Sequence, residues 1–378
     1  MLTTDRSTQL DELLGISIAE FDIPDHIYER AVERYEHAAS WLADCWPDGQ
    51  GEIYTQGSIR LGTMIAPVNP QDEYDIDLVC RRDIVKETTT QKQLKRGVGG
   101  ALADYVAGQP ESHPQLREGK RCWTLDYPHE PFHMDVLPAI PDREGLPSGI
   151  LLTDRELSEW QHSNPIAYAE WFQERMRGEF LHLREAIAKR MDIEDAPPSL
   201  MKTSLQRTVQ ALKRHRDLYF AGQPKDAPAS IIITTLAARA YTGGGSLHEV
   251  LIGVTARMPD LVERVNGLYV IANPVADENF ADRWRGHPRR AERFFDWIEQ
   301  AHADFAGLGE KLGVHHVLKE MARSFGELPA KRAGERLGIS VAQARDAGAL
   351  GIASTGLLAP TTTRPIPRHT FHGDAPTR

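Results

Sequence analysis

The stretch Gln56–Val79, QGSIRLGTMIAPVNPQDEYDIDLV, sets a Gly-Ser pair ahead of two aspartates that alternate with apolar residues. A β-strand sends successive side chains to opposite faces, so Asp75 and Asp77 share one side while Ile76, Leu78 and Val79 can face a core. At the usual strand rise their Cα atoms lie roughly 6.5 to 7 Å apart. Two carboxylates that close repel each other unless a cation lies between them or one takes a proton. A pair of divalent ions suits, because two-metal phosphoryl-transfer sites hold their ions about 3.5 to 4 Å apart and neighbouring carboxylates bridge that gap. A polar turn on a strand edge is the alternative that the same pattern allows.

A third carboxylate follows in the same style. KRCWTLDYP (120–128) and FHMDVLPAI (132–140) read as two strands joined by the turn PHEP, a β-hairpin. In the second of them His133 and Asp135 point to one face while Met134 and Val136 point to the other. Should this strand neighbour the one carrying Asp75 and Asp77, three carboxylates converge. Mg²⁺ favours a few carboxylate oxygens completed by waters and substrate phosphates, so such a triad predicts a nucleotide polyphosphate site with two Mg²⁺ ions, Mn²⁺ being a substitute.

Composition narrows the class. The chain has 378 residues, and its 54 Asp+Glu against 44 Lys+Arg give a formal charge of -10, which argues against a surface built for long nucleic acids and leaves room for a local basic pocket. Cys45, Cys80 and Cys122 form no C-x-x-C, so neither a zinc ribbon nor a disulfide framework is expected. The N-terminus lacks a basic region followed by an apolar run, and no segment reaches the roughly 18 apolar residues of a membrane span. A cytoplasmic protein without membrane attachment is expected.

Strands and helices mix in the first half. PDHIYERAVERYEHAASWLADC (24–45) and QKQLKRGVGGALADYVAG (91–108) read as helices, the latter weakened by three internal glycines. After Thr153 strand signals nearly vanish, and the segments 199–220, 230–241, 246–265 and 289–305 all fit helices. The expected fold is α+β: residues 1–195 as a mixed sheet flanked by helices with an N-terminal helix, 196–330 as a helical lobe completing the nucleotide pocket, and 331–378 as a helical segment with an extended tail rich in Pro and Thr.

The ordered trio of Gly-Ser turn, Asp-x-Asp on the next strand and a third Asp on a later strand resembles the nucleotidyltransferase fold of the polymerase-β superfamily. That resemblance implies that Gln56, Gly57 and Ser58 lie at the donor triphosphate. Glycine lets the backbone approach a phosphate and serine adds a hydroxyl donor, although an ordinary turn would look the same. Sixteen residues separate Ser58 from Asp75, more than is usual in that superfamily, which points to a loop insertion over APVNPQDE (66–73). Further along, LQRTVQALKRHRDLYF (205–220), PASIIITTLAA (228–238), NPVADENFADRW (273–284) and HTFHG (369–373) look like the bacterial CD-NTases, relatives of animal cyclic GMP-AMP synthase that make cyclic oligonucleotide signals in antiphage defence.

The resemblance implies that Lys213 and Ser230 also contact the triphosphate. A compact cation and a helix N-terminus both favour an anion. The alternatives are a solvated basic face for Lys213 beside Arg214, His215 and Arg216, and a plain helix cap for Ser230. Asn273 and Asn279 border the pocket or shape a turn, the turn being favoured.

The implied activity joins NTPs, ATP with GTP, CTP or UTP as further candidates, into a cyclic di- or trinucleotide and releases pyrophosphate. The implied partners are an effector activated by the product and a regulatory partner. Activation by double-stranded DNA is not expected, because nothing supplies the zinc ligands of the animal enzyme's DNA-sensing insertion. The rivals are a transferase that makes no ring, tailing RNA or AMPylating protein, and a catalytically silent nucleotide sensor.

Several motifs are decoys. HEPFH (129–133) matches the zinc protease H-E-x-x-H, which works only on a helix, and Pro131 with strand-like flanks forbids one. His315-His316 reads as helix surface, and ERLGISVAQARDAGAL (335–350) reads as a short helical pair rather than a DNA-binding module.

Overall fold

The computed structural model describes residues 4–46, 51–69, 71–109, 114–145, 147–153, 160–191, 201–311, 313–347, 350–352, 358–360 and 364–365. Helices α1 (Thr4–Ala19) and α2 (Asp25–Asp44) lead into strand β1 (Gly51–Thr55), the single-turn helix α3 (Gly57–Leu61) and strand β2 (Tyr74–Arg82). Helix α4 (Gln91–Ala107) then crosses to β3 (Gln115–Glu118), β4 (Trp123–Asp126), β5 (Phe132–Pro141), β6 (Ile150–Leu152) and β7 (Gln161–Ser163). The glycines of α4 are tolerated because a capping box between Thr90 and Gln93 starts the helix and its apolar face, including Leu94, Val98 and Leu102, is buried.

The strands form one mixed sheet in the order β1-β2-β5-β4-β3, with β6 on the far end of β5 and β7 beyond it. β2 and β5 run parallel, as the βαβ connection through α4 requires, and the other pairs are antiparallel. On β2 the residues Tyr74, Ile76, Leu78 and Cys80 are buried, and on β5 Phe132, Met134 and Val136 are buried. The alternating residues divide: Asp75 and Asp77 with His133 and Asp135 form a polar patch, while Val79 and Ala139 continue the same face as a small apolar cluster with Ile150 and Leu152. Another apolar cluster joins the opposite face, with Ile76 and Met134, to α2 and α4.

The chain then becomes helical. α5 (Pro165–Met191), α6 (Ser204–Tyr219), α7 (Ser230–Ala240) and α8 (Leu247–Arg257) precede a hairpin of β8 (Glu263–Val265) and β9 (Leu268–Val270), followed by α9 (Pro288–Glu310), α10 (Val314–Phe325) and α11 (Glu327–Asp346). A second apolar cluster, with Phe172, Leu212, Leu236, Trp297 and Phe305 fully buried, unites these helices. α1 contributes Leu10, Leu13, Leu14 and Ile18 to the same cluster, so the first helix of the chain packs in the helical lobe.

Three elements differ from the sequence reading. The helix expected over 246–265 ends at Arg257, where Pro259 breaks it, and Asn266-Gly267, both at positive φ, turn the chain into the β8–β9 hairpin. The pair of short helices expected at 335–350 is one continuous α11, whose buried Ala330, Ala333 and Leu337 pack along its length. The tail's described residues 350–352, 358–360 and 364–365 form a small antiparallel sheet, whereas HTFHG lies outside the described residues. Among the described residues no helix is long and apolar enough to cross a membrane, and all three cysteines are free.

Candidate active site

β2 and β5 lie side by side in the register Asp77↔Asp135 and Asp75↔His133, so the polar face expected from alternation becomes one acidic patch. Donor atoms of Asp75, His133 and Asp135 lie within 4.8 Å of one another. Burial, with Asp75 and Asp135 as like-charged neighbours, pushes the Asp77 carboxyl up to about 7. The hydrogen bond to Asp75, with Glu73 on the other ring nitrogen, pushes the His133 imidazole up to about 9. His133 thus serves this patch, while Glu130 of the protease-like match pairs with Arg30 and Arg34 in a turn.

The Gly-Ser pair opens α3 rather than standing as a free turn. Gly57 has φ +61°, and a Cβ there would stand 2.3 Å from Asp77 Oδ2. Only glycine lets the Asp77 carboxylate lie against this backbone. Gln56 donates its backbone N–H to Asp77 O at 2.9 Å and precedes α3 without a side-chain cap, which leaves the helix start open. Ser58 is half-buried on the first turn.

Helix α6 fixes this turn against the helical lobe. Gln206, Gln210, Lys213 and Arg214 fall at i, i+4, i+7 and i+8, one helical face. Each donates to a carbonyl of the segment after Gly57-Ser58: Gln206 Nε2 to Leu61 O at 3.0 Å, Gln210 Nε2 to Met64 O at 2.8 Å, Lys213 Nζ to Thr63 O at 3.0 Å and Arg214 Nη2 to Ala66 O at 2.7 Å. Lys213 is only 4% exposed, as are its neighbours Arg214 and His215 nearly so, which overturns the solvated basic face. Burial, with Arg216 close by, pulls the Lys213 ammonium down to about 7, and Lys213 and Asp77 each feel the other's charge.

Ser230 is the first residue of α7, behind Ala229 as N-cap, and caps nothing with its side chain, so the plain-cap alternative fails as well. Its hydroxyl accepts from Arg216 Nη1 at 2.9 Å. Arg216 lies one turn beyond Lys213 on α6, which brings these positions to one side of that helix. Asn279 has a turn role: its Oδ1 accepts from Ile271 N and Ala281 N, both at 2.9 Å, and its Nδ2 donates to Tyr269 O at 2.9 Å. Asn273 likewise accepts from Val275 N at 3.0 Å and donates to Glu278. A cavity of about 860 Å³ lies on the other flank of α3, bordered by Ile59, Leu61, Met176 and Met201, and none of the three aspartates lines it.

The family model described as "Cyclic GMP-AMP synthase DncV-like, nucleotidyltransferase domain" matches residues 51–138, the span from β1 into β5 that carries all three aspartates. A c-di-GMP synthase of Roseivirga ehrenbergii is 31% identical over 387 residues, covering 99% of this chain and 100% of that one. The chain belongs to the DncV-like nucleotidyltransferases. It is an enzyme of the CD-NTase kind, joining NTPs into cyclic oligonucleotides. The cyclic dinucleotide synthase CdnG of Bradyrhizobium diazoefficiens is 28% identical over 305 residues, with 73% of this chain and 70% of that one covered. The structure of that CdnG in complex with GTP matches at a TM-score of 0.69, with 22% identity, over 87% of this chain and 99% of the other. The Vibrio cholerae cyclic AMP-GMP synthase DncV, in complex with nonhydrolyzable GTP, matches at 0.56 with 16% identity, over 86% and 88%.

Nucleotidyltransferases use divalent metal ions, and this patch fits one: its donors are mainly hard carboxylate oxygens, and the like charges around Asp77 are those that a cation would relieve.

Sequence reasoning passed over three residues that complete the site. Thr124 on β4 is the register partner of Asp135 and donates Oγ1–H to its Oδ1 at 2.6 Å. Cys122 Sγ donates to the other oxygen at 3.2 Å. Arg216 reaches Ser230. Centring the hairpin on PHEP would have placed Thr124 opposite Asp135, so the signal for that residue was present.

Proposed function

We propose that this enzyme condenses two GTP molecules into cyclic di-GMP, with Asp75, Asp77 and Asp135 as metal ligands and catalytic groups. The register that sets Asp77 opposite Asp135 and against Gly57, with donor atoms of Asp75 and Asp135 gathered around His133, supports the site assignment, and the likeness over nearly the whole chain to a relative named c-di-GMP synthase supports the product. The α3 backbone with Gln56, Gly57 and Ser58 receives the donor triphosphate, and Lys213 and Ser230 supply a cation and a hydroxyl from the helical lobe.

Two Mg²⁺ ions held here, or Mn²⁺ in their place, would lower the pKa of the acceptor hydroxyl and neutralise charge on the α-phosphate and departing pyrophosphate. In this reading Asp75 and Asp77 would hold the ions at the donor phosphates, and Asp135 would share the ion that activates the acceptor hydroxyl. After the first bond forms, the linear intermediate turns over in the same pocket and its own triphosphate is attacked. The ring then serves as a second messenger that activates an effector in antiphage signalling.

The test incubates the purified protein with each NTP singly and in pairs, with Mg²⁺ or Mn²⁺. Products are resolved by chromatography and mass spectrometry and challenged with phosphatase and linkage-specific nucleases. The expected result is a phosphatase-resistant cyclic di-GMP from GTP alone, absent from the Asp75→Ala/Asp77→Ala variant. A product containing another base overturns the substrate assignment, and only open chains would show a transferase that does not cyclise. Synthesis by the double variant would remove the assigned site.

A further inference from the structure

We infer that Thr124, assisted by Cys122, is the positioning residue that aims Asp135 at the reacting centre. The inference rests on Asp135 acting in catalysis as proposed above. Thr124 is 2% exposed and sits directly across the β4–β5 ladder from Asp135, so its hydroxyl is delivered by strand register and not by a mobile loop. Its Oγ1–H meets Asp135 Oδ1 at 2.6 Å, within the range of a hydrogen bond to an ionised carboxylate. Cys122, the residue just before β4, donates to Oδ2 at 3.2 Å.

Each oxygen of Asp135 therefore accepts one bond from the β4 side. An ionised carboxylate has about four acceptor positions, so capacity remains for the side of β2, where a donor atom of Asp75 lies within 4.8 Å. Threonine suits this task better than serine, because β-branching restricts χ1 and keeps the hydroxyl aimed without a further partner. The thiol is the weaker donor, so Thr124 carries more of the orientation than Cys122 does. Partners of metal-ligating carboxylates typically matter by about 10 to 100-fold in metal affinity or activity when removed.

The experiment compares Thr124→Val, Thr124→Ser, Cys122→Ala and Asp135→Ala in the full chain. Readouts are kcat and KM for GTP, and direct Mn²⁺ binding without nucleotide by electron paramagnetic resonance. Thr124→Val keeps the shape and removes the donor. It should lower kcat by about 10 to 100-fold and weaken Mn²⁺ binding by about tenfold, with KM for GTP held within about twofold because the proposed triphosphate contacts lie on α3, α6 and α7. Thr124→Ser should stay within about threefold of the parent, and Cys122→Ala should lose less than Thr124→Val. Should the valine variant fail to fold, Thr124→Ala carries the same expectations.

Parental kcat and Mn²⁺ binding in Thr124→Val would overturn the inference. So would a serine variant as impaired as the valine one, which would mark a packing role. An active Asp135→Ala would instead remove the site reading on which the inference rests, whereas an inactive Asp135→Ala beside a fully active Thr124→Val would refute the positioning role alone.

Discussion

Replacing Gly57 by alanine tests the arrangement at its tightest point. The φ of +61° lies in the left-handed region, where an L-residue with a Cβ is disfavoured by roughly 1 to 2 kcal/mol. The new Cβ would stand 2.3 Å from Asp77 Oδ2 and 3.2 Å from its Cγ, against a floor of 3.0 Å for Cβ contacts, so the carboxylate must retreat by most of 1 Å. The strand itself cannot shift to make room, because Ile76 and Leu78 on either side of Asp77 are buried in the sheet core, so the carboxylate must move instead. Misplacement of a reacting group by about 1 Å can cost on the order of 100-fold in rate, while the backbone strain lowers the thermal midpoint by only a few degrees.

The assay follows pyrophosphate release from GTP and thermal unfolding in parallel. Gly97→Ala serves as control: that glycine lies in α4, where a Cβ meets nothing within 4 Å, so the variant should keep full activity and gain up to about 1 kcal/mol in stability. A Gly57→Ala enzyme retaining a third or more of the parental rate would refute the claim that Gly57 and Asp77 form one unit.

Divalent-ion affinity should rise with pH. Burial and its acidic neighbours raise the folded-state Asp77 pKa from 3.8 to about 7, so a proton competes with the cation below about pH 7 and no longer does above it. By the same linkage the metal-free fold holds a proton on Asp77 that the unfolded chain releases, so the Asp77 contribution to stability falls as pH rises from 3.8 towards 7, and Asp77→Asn should remove that contribution, leaving a thermal-scan slope less negative than the parent's. Equal Mn²⁺ affinity at pH 6 and pH 8 by calorimetry would contradict this. Lys213→Met should raise KM for GTP by about tenfold with kcat less affected, whereas a lowered melting temperature with unchanged KM would reduce Lys213 to its bond with Thr63 O. Asn279→Ala removes the partner of three backbone groups and should destabilise the fold by about 2 to 4 kcal/mol, read by denaturant unfolding.

Sequence alone determined the chemistry at each strand and little of the geometry between elements. Alternation of polar and apolar residues announced that Asp75 with Asp77, and His133 with Asp135, point away from the core, because a strand's two-residue period is local. The turn PHEP announced the hairpin, and helical spacing announced α2, α4, α6, α7 and α9. The β8–β9 hairpin was also written in Asn266-Gly267, a signal that the long apolar pattern before it concealed.

Only the tertiary structure decided that β2 and β5 are neighbours, with Asp77 opposite Asp135, because pairing between strands more than fifty residues apart depends on the path of α4 across the sheet. It also decided what the polar residues of α6 do. By sequence Lys213 with Arg214, His215 and Arg216 could equally be a solvated basic face, yet Lys213 and Arg214 are buried and, together with Gln206 and Gln210, donate to the carbonyls of Thr63, Ala66, Leu61 and Met64. A buried irregular segment must find donors for its carbonyls, and no sequence pattern states which distant helix will supply them.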